Sequence, residues 1–489
     1  MLSDIKPFRM AGNLYFVGTK KVSSHVIDTG DGLIMIDTGY PETGEVILES
    51  MEAMGLDIKD LKIILHSHGH YDHVGSTKML KALSGAETYI HPADRVYLLE
   101  KYNADWEPDH DLYDGQIIRL GNTEILCKHT PGHTAGVMSF FFDLTHNGKT
   151  YRAGTYGGAG VRQVGKDWLE RWDLSTYSRK DFFESIAMLK KERVDVFFGN
   201  HAWHNDTAGE SEAVWAGNAD ACIDPTLWGK FLDSTEGKLD RFLAKNAHDT
   251  FVNYAHRGAS DYAPENSTIA FSLGLYMGAN GIEMDVRRTA DGKLIVYHDR
   301  TLKRRLGILE HPVCEETYEQ MHDFNFTTGD LTDKILTLEE YFHLFGFQDV
   351  RFAVELKDAG IAAEVFALLK KYDMLQKTTV TSFELDYLAQ MRAVDKKIKL
   401  GYLTEEVTPE ILEKLYALQV EELCPKACLI TAENVRLWHR AGFNVRAWGV
   451  KDEETMKAVY DACADGMTVN FPDKLKAYID EVTAREAAQ

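Results

Sequence analysis

Five short stretches in the second half of this 489-residue chain carry side chains suited to cleaving a phosphate diester. They are His256-Arg257-Gly258, Pro264-Glu265-Asn266, Glu283-Met284-Asp285, His298-Asp299 and Glu355-Leu356-Lys357. Glu283 and Asp285 stand at i and i+2, so on a strand both carboxylates leave one face, and paired oxygens of that kind suit a hard cation such as magnesium or calcium. Glu355 offers a third carboxylate, with Lys357 two residues on and facing the same way. His256 and His298 then supply a general base and a general acid, and Arg257 can pair with the phosphate through two parallel hydrogen bonds.

These residues need elements that bring them to one place. Apolar runs at Phe251 to Ala255, Gly281 to Val286, Leu294 to Tyr297 and Phe352 to Leu356 read as buried strands, each with its polar residues at or near the C-terminal end. Barrel enzymes keep their chemistry at that end. Further strands are expected at Thr378 to Thr381, Lys399 to Leu403, Glu421 to Cys424, Asn444 to Val450 and Gly466 to Asn470. Helical spacing lies between them at Ile361 to Tyr372, Leu385 to Val394, Pro409 to Leu418 and Ala432 to Ala441. Trp448, just before a strand's end, is placed to line an alcohol or glycerol subsite at the mouth, or to fill the core.

The order HRG, PEN, E-x-D, HD, E-x-K resembles the glycerophosphodiester phosphodiesterase family over roughly residues 250 to 485. The resemblance implies a (β/α)8 TIM barrel that hydrolyses glycerophosphodiesters to glycerol 3-phosphate and an alcohol. It implies one magnesium or calcium at Glu283, Asp285 and Glu355, with His256, His298, Arg257 and Lys357 catalytic and Arg257, Lys357 and Trp448 against the substrate. Two departures stand out: Val469-Asn470-Phe471-Pro472 where the family has Thr-Asp-x-Pro, and Ile335-Leu336-Thr337-Leu338 where it has Ile-Pro-Thr-Leu. Both are expected to lie away from the metal and histidine set. The segment Lys303 to Asp333, where the family carries a substrate-covering insertion, is short and weakly patterned, which predicts an open site.

The first half holds a second constellation. His68-Gly69-His70-Tyr71-Asp72-His73 follows a short apolar strand at Leu61 to Leu65. Three imidazoles and a carboxylate in six residues are too polar for plain core, and nitrogen donors with one oxygen favour zinc over magnesium or calcium. Another histidine, His133, sits in Thr130-Pro131-Gly132-His133-Thr134, and His201 and His204 follow an apolar run at Val194 to Phe198. Alternating runs between residues 13 and 40 predict antiparallel strands, and Glu45 to Met54 a helix ended by Gly55.

This half resembles the metallo-β-lactamase superfamily, which implies an αββα sandwich. Carried across, His68, His70 and His133 bind one zinc, and Asp72, His73 and His201 a second, with His204 a rival for the last place and Asp72 also catalytic. Zinc there would bring the pKa of water toward neutrality. Histidine at position 70 favours hydrolysis over the redox chemistry of iron relatives. Thr155 stands where many relatives bridge the metals with aspartate, so the site looks most like the β-lactamases with five histidines and one Asp. His66, His91 and His129 read as bystanders.

Length and composition bound the rest. The chain is too long for one core, and the patterning divides it into domains at 1–247 and 248–489, an α/β and α+β pair. Fifty-four Lys and Arg against 76 Asp and Glu give a net charge of −22, which disfavours partners that offer nucleic-acid or anionic lipid surfaces. No run reaches membrane-spanning length and no secretion signal is legible, so a cytoplasmic hydrolase of a small phosphodiester or lipid-derived substrate is expected. Six scattered cysteines do not make a disulfide framework. Two other readings stay open: only one domain is catalytic and the other is a binding module, or the chain is a β-lactam or lactone hydrolase with a barrel that binds phospholipid diesters.

Overall fold

A computed structural model describes residues 4–96, 98–99, 104–306 and 311–488. It divides into two compact units, Met1–Leu174 with Ser178–Phe242, and Ser175–Tyr177 with Leu243–Gln489. The division falls inside the helix Leu227–Asp249. Among the described residues no helix is long and apolar enough to cross a membrane.

The first unit is a sandwich of two sheets with helices outside. Seven strands run in chain order from Phe8–Ala11 to His110–Asp111, antiparallel through Leu33–Ile36 and parallel from there on. The second sheet takes its five strands in the order Val196–Phe197, Lys149–Thr155, Met138–His146, Thr123–His129, Ile117–Leu120. Strand alternation explains the layers. In Met138–His146, Phe140, Phe142 and Leu144 join Ile34, Ile36 and Leu65 in the core between the sheets, while Phe141 faces outward against Trp228. Leu33 and Met35 face the other way and pack on Ile47, Met51 and Leu80 of the helices Gly44–Ala53 and Thr77–Ser84. Each buried phenylalanine or leucine contributes roughly 1.5–3 kcal/mol, so a register slip of one residue would exchange core for surface.

One buried carboxylate in this unit makes a pH-dependent prediction. Glu210, on the helix Thr207–Trp215, accepts from Asn205 Nδ2 at 2.7 Å, and burial pushes its pKa up to about 8. A carboxyl that stays protonated in the fold but ionises near 4.5 when unfolded gives stability that is complete below that value and is lost as pH rises toward 8. Glu210→Gln cannot ionise. Its melting temperature should match the parent near pH 4 and exceed it by several degrees at pH 8 to 9, read by calorimetry. Equal melting at both pH values would contradict this.

The second unit is a closed barrel. Eight parallel strands, Val252–His256, Gly281–Arg288, Arg351–Leu356, Thr378–Ser382, Lys399–Thr404, Glu422–Pro425, Asn444–Val450 and Gly466–Val469, pair in chain order, and the last returns to the first. Ile282, Met284 and Val286 point outward into the helices with Phe352, Val354 and Leu356. Their alternates Glu283, Asp285 and Glu355 therefore face inward. The run at Leu294–Val296 is a strand, but it lies antiparallel on Gly281–Arg288, outside the barrel. Its neighbour segment is better ordered than the weak patterning implied. Residues 303–333 contain a helix at Tyr318–Asp323 and a hairpin at Phe326–Thr328 and Leu331–Asp333, and Leu302, Val313, Met321 and Phe326 share a small core with Ile295 and Tyr297. Residues 307–310 of that segment lie outside the described set.

Candidate active sites

In the sandwich, loops that follow three strands bring five histidines together. Leu61–Leu65 delivers His68 and His70, and the helix Tyr71–Val74 then turns Asp72 and His73 back toward them. Thr123–His129 delivers His133, and Val196–Phe197 delivers His201. His70 Nδ1 lies 3.1 Å from His68 Nε2 and 3.0 Å from His133 Nε2. Ligand atoms of His68, His70 and His133 form one cluster and those of Asp72, His73 and His201 a second, each within 4.8 Å. His201 is the histidine that converges with Asp72 and His73; His204 packs on Phe231, with ring centroids 4.8 Å apart.

The outward nitrogens are committed elsewhere, which leaves the inward ones for a metal. His133 Nδ1 donates to the carbonyl of Gly160 at 2.8 Å, and His201 Nδ1 to that of Lys21 at 2.8 Å. Gly160 must be glycine here, since a Cβ would stand 2.8 Å from the His133 ring. His73 Nδ1 donates to Asp37 Oδ2 at 2.8 Å, and its buried Nε2 has no hydrogen-bond partner. Burial and the neighbouring imidazoles pull His68 and His70 well below their usual pKa, and burial draws His133 and His201 down to about 4. For His73 burial acts in the same direction, but the Asp37 carboxylate outweighs it and raises the pKa. Four imidazoles held neutral, with His73 turned toward them by Asp37 and one carboxylate from Asp72, are a donor set that fits zinc.

Two residues essential to this geometry escaped the sequence reading. Asp37, fully buried at φ 56°, holds His73 and also accepts from Ser67 N at 2.8 Å and Ser67 Oγ at 2.6 Å. Asp94, also buried, accepts from Gly69 N, Gly136 N and Thr134 Oγ1, so it ties the two histidine loops together. A buried Asp at a strand end with positive φ is a signal, but it is visible only with coordinates. His66 accepts or donates with Thr77, and His91 and His129 stack on each other at 4.2 Å, apart from both clusters.

In the barrel, strand register does the positioning. Asp285 pairs across with Glu355, and His256 with Glu283. Oxygens of Glu283, Asp285 and Glu355 lie within 4.8 Å of one another, all three buried. Arg257 Nε stands 3.0 Å from Asp285 Oδ2, Lys357 Nζ 3.3 Å from Asp285 Oδ1 and 2.5 Å from Glu355 Oε1, and Asn266 Nδ2 donates to Asp285 Oδ2 at 2.9 Å. Burial, Asp285 and Glu355 push Glu283 up to about 8; burial pushes Glu355 up to about 7 against the pull of Lys357. Burial also works on Asp285, but Arg257 and Lys357 prevail and hold it well below the carboxylate range. Three buried carboxylates against two cations form an oxygen set suited to one hard divalent ion. Arg257 holds φ 54° and Gly258 φ 84°, where a Cβ would come within 2.4 Å of Ala270, so the HRG turn permits only glycine at its third place.

His256 Nδ1 donates to Asn470 Oδ1 at 2.7 Å. This corrects the expectation that the departure at 469–472 lies away from the histidine set. Asn470 orients the ring and leaves Nε2 for the site, 3.9 Å from Glu283 Oε2. Burial and Arg257 bring His256 down to about 4, so it is an unprotonated base at neutral pH. Asn470→Ala frees that ring and should lower kcat about tenfold or more with little change in KM, measured by steady-state kinetics. The other histidine, His298, donates from Nδ1 to Asp299 Oδ1 at 2.7 Å. Trp448 donates to the carbonyl of Thr404 at 3.1 Å and meets Phe383 edge to face at 5.0 Å, and Lys357 Nζ lies 5.7 Å from the Phe383 ring centroid. Phe383, next to the strand end at Ser382, is a second mouth aromatic that the sequence reading passed over.

Comparison with known proteins matches each half of the chain to a different family. Residues 256–474 match the Glycerophosphoryl diester phosphodiesterase family, and residues 17–146 the Metallo-beta-lactamase superfamily. A glycerophosphodiester phosphodiesterase of Bacillus altitudinis is 31% identical over 235 residues, 45% of this chain and 95% of that one. Another, of Caldanaerobacter subterraneus subsp. tengcongensis, is 29% identical over 229 residues, 45% of this chain and 94% of that one. Among solved structures, the native FEZ-1 metallo-beta-lactamase from Legionella gormanii shares 28% identity and covers 50% of this chain and 98% of its own, with a TM-score of 0.46. The chain belongs to the glycerophosphoryl diester phosphodiesterase family through its barrel, and part of its sandwich matches the model of the metallo-beta-lactamase superfamily. It is a hydrolase, and proteins of both kinds typically bind metal ions.

Proposed function

We propose that the barrel domain, residues 248–489, hydrolyses glycerophosphodiesters to glycerol 3-phosphate and an alcohol, and that the sandwich domain, residues 1–247, is a zinc hydrolase acting on an ester, amide or diester. One magnesium or calcium ion held by Glu283, Asp285 and Glu355 would supply charge neutralisation at the phosphate. His256 takes the proton of the attacking oxygen and His298 gives one to the departing oxygen. Arg257 and Lys357 face the same carboxylates and offset the charge that grows on the phosphate in the transition state. Trp448 borders the alcohol or glycerol portion.

Two zinc ions, one at His68, His70 and His133 and one at Asp72, His73 and His201, would supply a hydrolytic nucleophile at neutral pH. The protein's part is to keep these imidazoles oriented and largely buried. We place the chain in the cytoplasm, with small phosphodiester or lipid-derived substrates.

The observation that supports the barrel reading best is the convergence of three buried carboxylates between Arg257 and Lys357, with His256 alongside. The test is turnover of glycerophosphocholine, glycerophosphoethanolamine and glycerophosphoglycerol with added magnesium or calcium, against His256→Ala. Turnover that disappears in the variant supports the reading; silence of a folded, metal-loaded parent on all three would refute it.

A further inference from the structure

We propose that Arg304 is a positioning residue for the barrel's proton donor, holding Asp299, and through it His298, against the departing oxygen. The inference rests on the phosphodiesterase reading above. Arg304 lies in the short helix Lys303–Leu306, just past the His298-Asp299 pair, and its side chain is about half exposed. Its guanidinium nevertheless makes three hydrogen bonds to two carboxylates. Nε donates to Asp299 Oδ2 at 2.6 Å, while Nη2 and Nη1 donate to Glu265 Oε1 and Oε2 at 2.5 and 3.3 Å.

Both oxygens of Asp299 are thereby used. One accepts the His298 Nδ1 proton at 2.7 Å, and the other is gripped by Arg304. With Nδ1–H committed, Nε2 is the nitrogen left to serve substrate, the same logic by which a buried aspartate orients a catalytic imidazole elsewhere. The backbone of His298 is fixed too, since its carbonyl accepts from Arg287 Nε at 2.8 Å. Glu265 closes the circuit, because its Oε2 also lies 3.3 Å from Arg257 Nη1. One guanidinium thus locks the His298-Asp299 pair to the Glu265 turn that braces Arg257. A half-exposed ion pair contributes little to stability by itself. Its value here is geometric.

The chemistry shows where that matters. As the nucleophile–phosphorus bond forms, His256 accepts the nucleophile's proton; as the bond from phosphorus to the leaving oxygen breaks, His298, acting as the imidazolium whose Nδ1–H Asp299 holds, passes its Nε2 proton to that oxygen, so the alcohol departs neutral and His298 is left neutral. An ordinary alcohol needs that proton, whereas nitrophenolate is stable as an anion and does not.

The experiment compares glycerophosphocholine with the p-nitrophenyl ester of glycerol 3-phosphate, using the full chain, Arg304→Ala, Arg304→Lys and Asp299→Asn. Arg304→Ala should lower kcat on glycerophosphocholine about 30-fold and on the nitrophenyl ester less than about threefold, with KM nearly constant on both. Arg304→Lys should recover part of the loss, and Asp299→Asn should reproduce the selective loss. Equal losses on both substrates would overturn the proposal in favour of a merely structural role, and no loss on either would overturn it outright. A parent inactive on both substrates would instead refute the phosphodiesterase reading, and the inference with it.

Discussion

Replacing Asp285 by asparagine should abolish phosphodiester turnover, with kcat/KM falling at least about 1,000-fold while the chain stays folded. Asp285 is the hub of the barrel site: fully buried, between Arg257 at 3.0 Å and Lys357 at 3.3 Å, and steadied by Asn266. The amide keeps the shape but removes the one carboxylate that the two cations hold ionised. Breaking a buried ion pair ordinarily costs about 3–5 kcal/mol. Here Glu283 and Glu355, pushed up to about 8 and about 7 by burial, can release their protons and take over the compensation. The variant should therefore melt close to the parent in the absence of divalent ions. With magnesium or calcium added, calorimetric stabilisation should be much smaller than in the parent, because a ligand charge is gone. A variant that turns over within tenfold of the parent would contradict the placement of the ion.

Asp37→Ala should empty the second zinc cluster while sparing the first. Asp37 fixes the tautomer of His73, a member of the second cluster, by accepting its Nδ1 proton, and reaches the first cluster only indirectly, through Ser67, whose hydroxyl lies 3.1 Å from His68 Nδ1. Loss of such an outer carboxylate typically costs about 10–100-fold in metal affinity. At zinc concentrations that just saturate the parent, elemental analysis should therefore find about one zinc per variant chain where the parent holds about two. Asp37→Asn, which keeps an acceptor oxygen, should lie between. Full zinc occupancy in Asp37→Ala would show that His73 needs no such partner.

Much of this site was legible because its residues obey short-range rules. Glu283 and Asp285, or Glu355 and Lys357, share a face by strand alternation, so their common direction follows from sequence. His68 to His73 crowd six residues after a strand, and no ordinary core tolerates that. What stayed hidden depends on partners far away along the chain. Asn470 serves His256 across 214 positions, and Asp37 serves His73 across 36, and neither carries a local pattern. Leu294–Val296 shows the opposite case: periodicity identifies a strand but says nothing about which sheet receives it or in which direction. Residues 303–333 read as weakly patterned because their apolar residues serve a small local core rather than the long face of a barrel helix.

The central claim is a division of labour between two metal centres in one chain, and one measurement addresses it directly. Glycerol 3-phosphate release from glycerophosphocholine should be followed in the full chain, first with a zinc-selective chelator and then with EDTA. The account predicts that the zinc chelator leaves the rate within about twofold, that EDTA stops it, and that magnesium or calcium alone restores it. Loss of turnover on zinc removal, with recovery only when zinc is returned, would place the phosphodiester chemistry in the sandwich and contradict the assignment of the barrel.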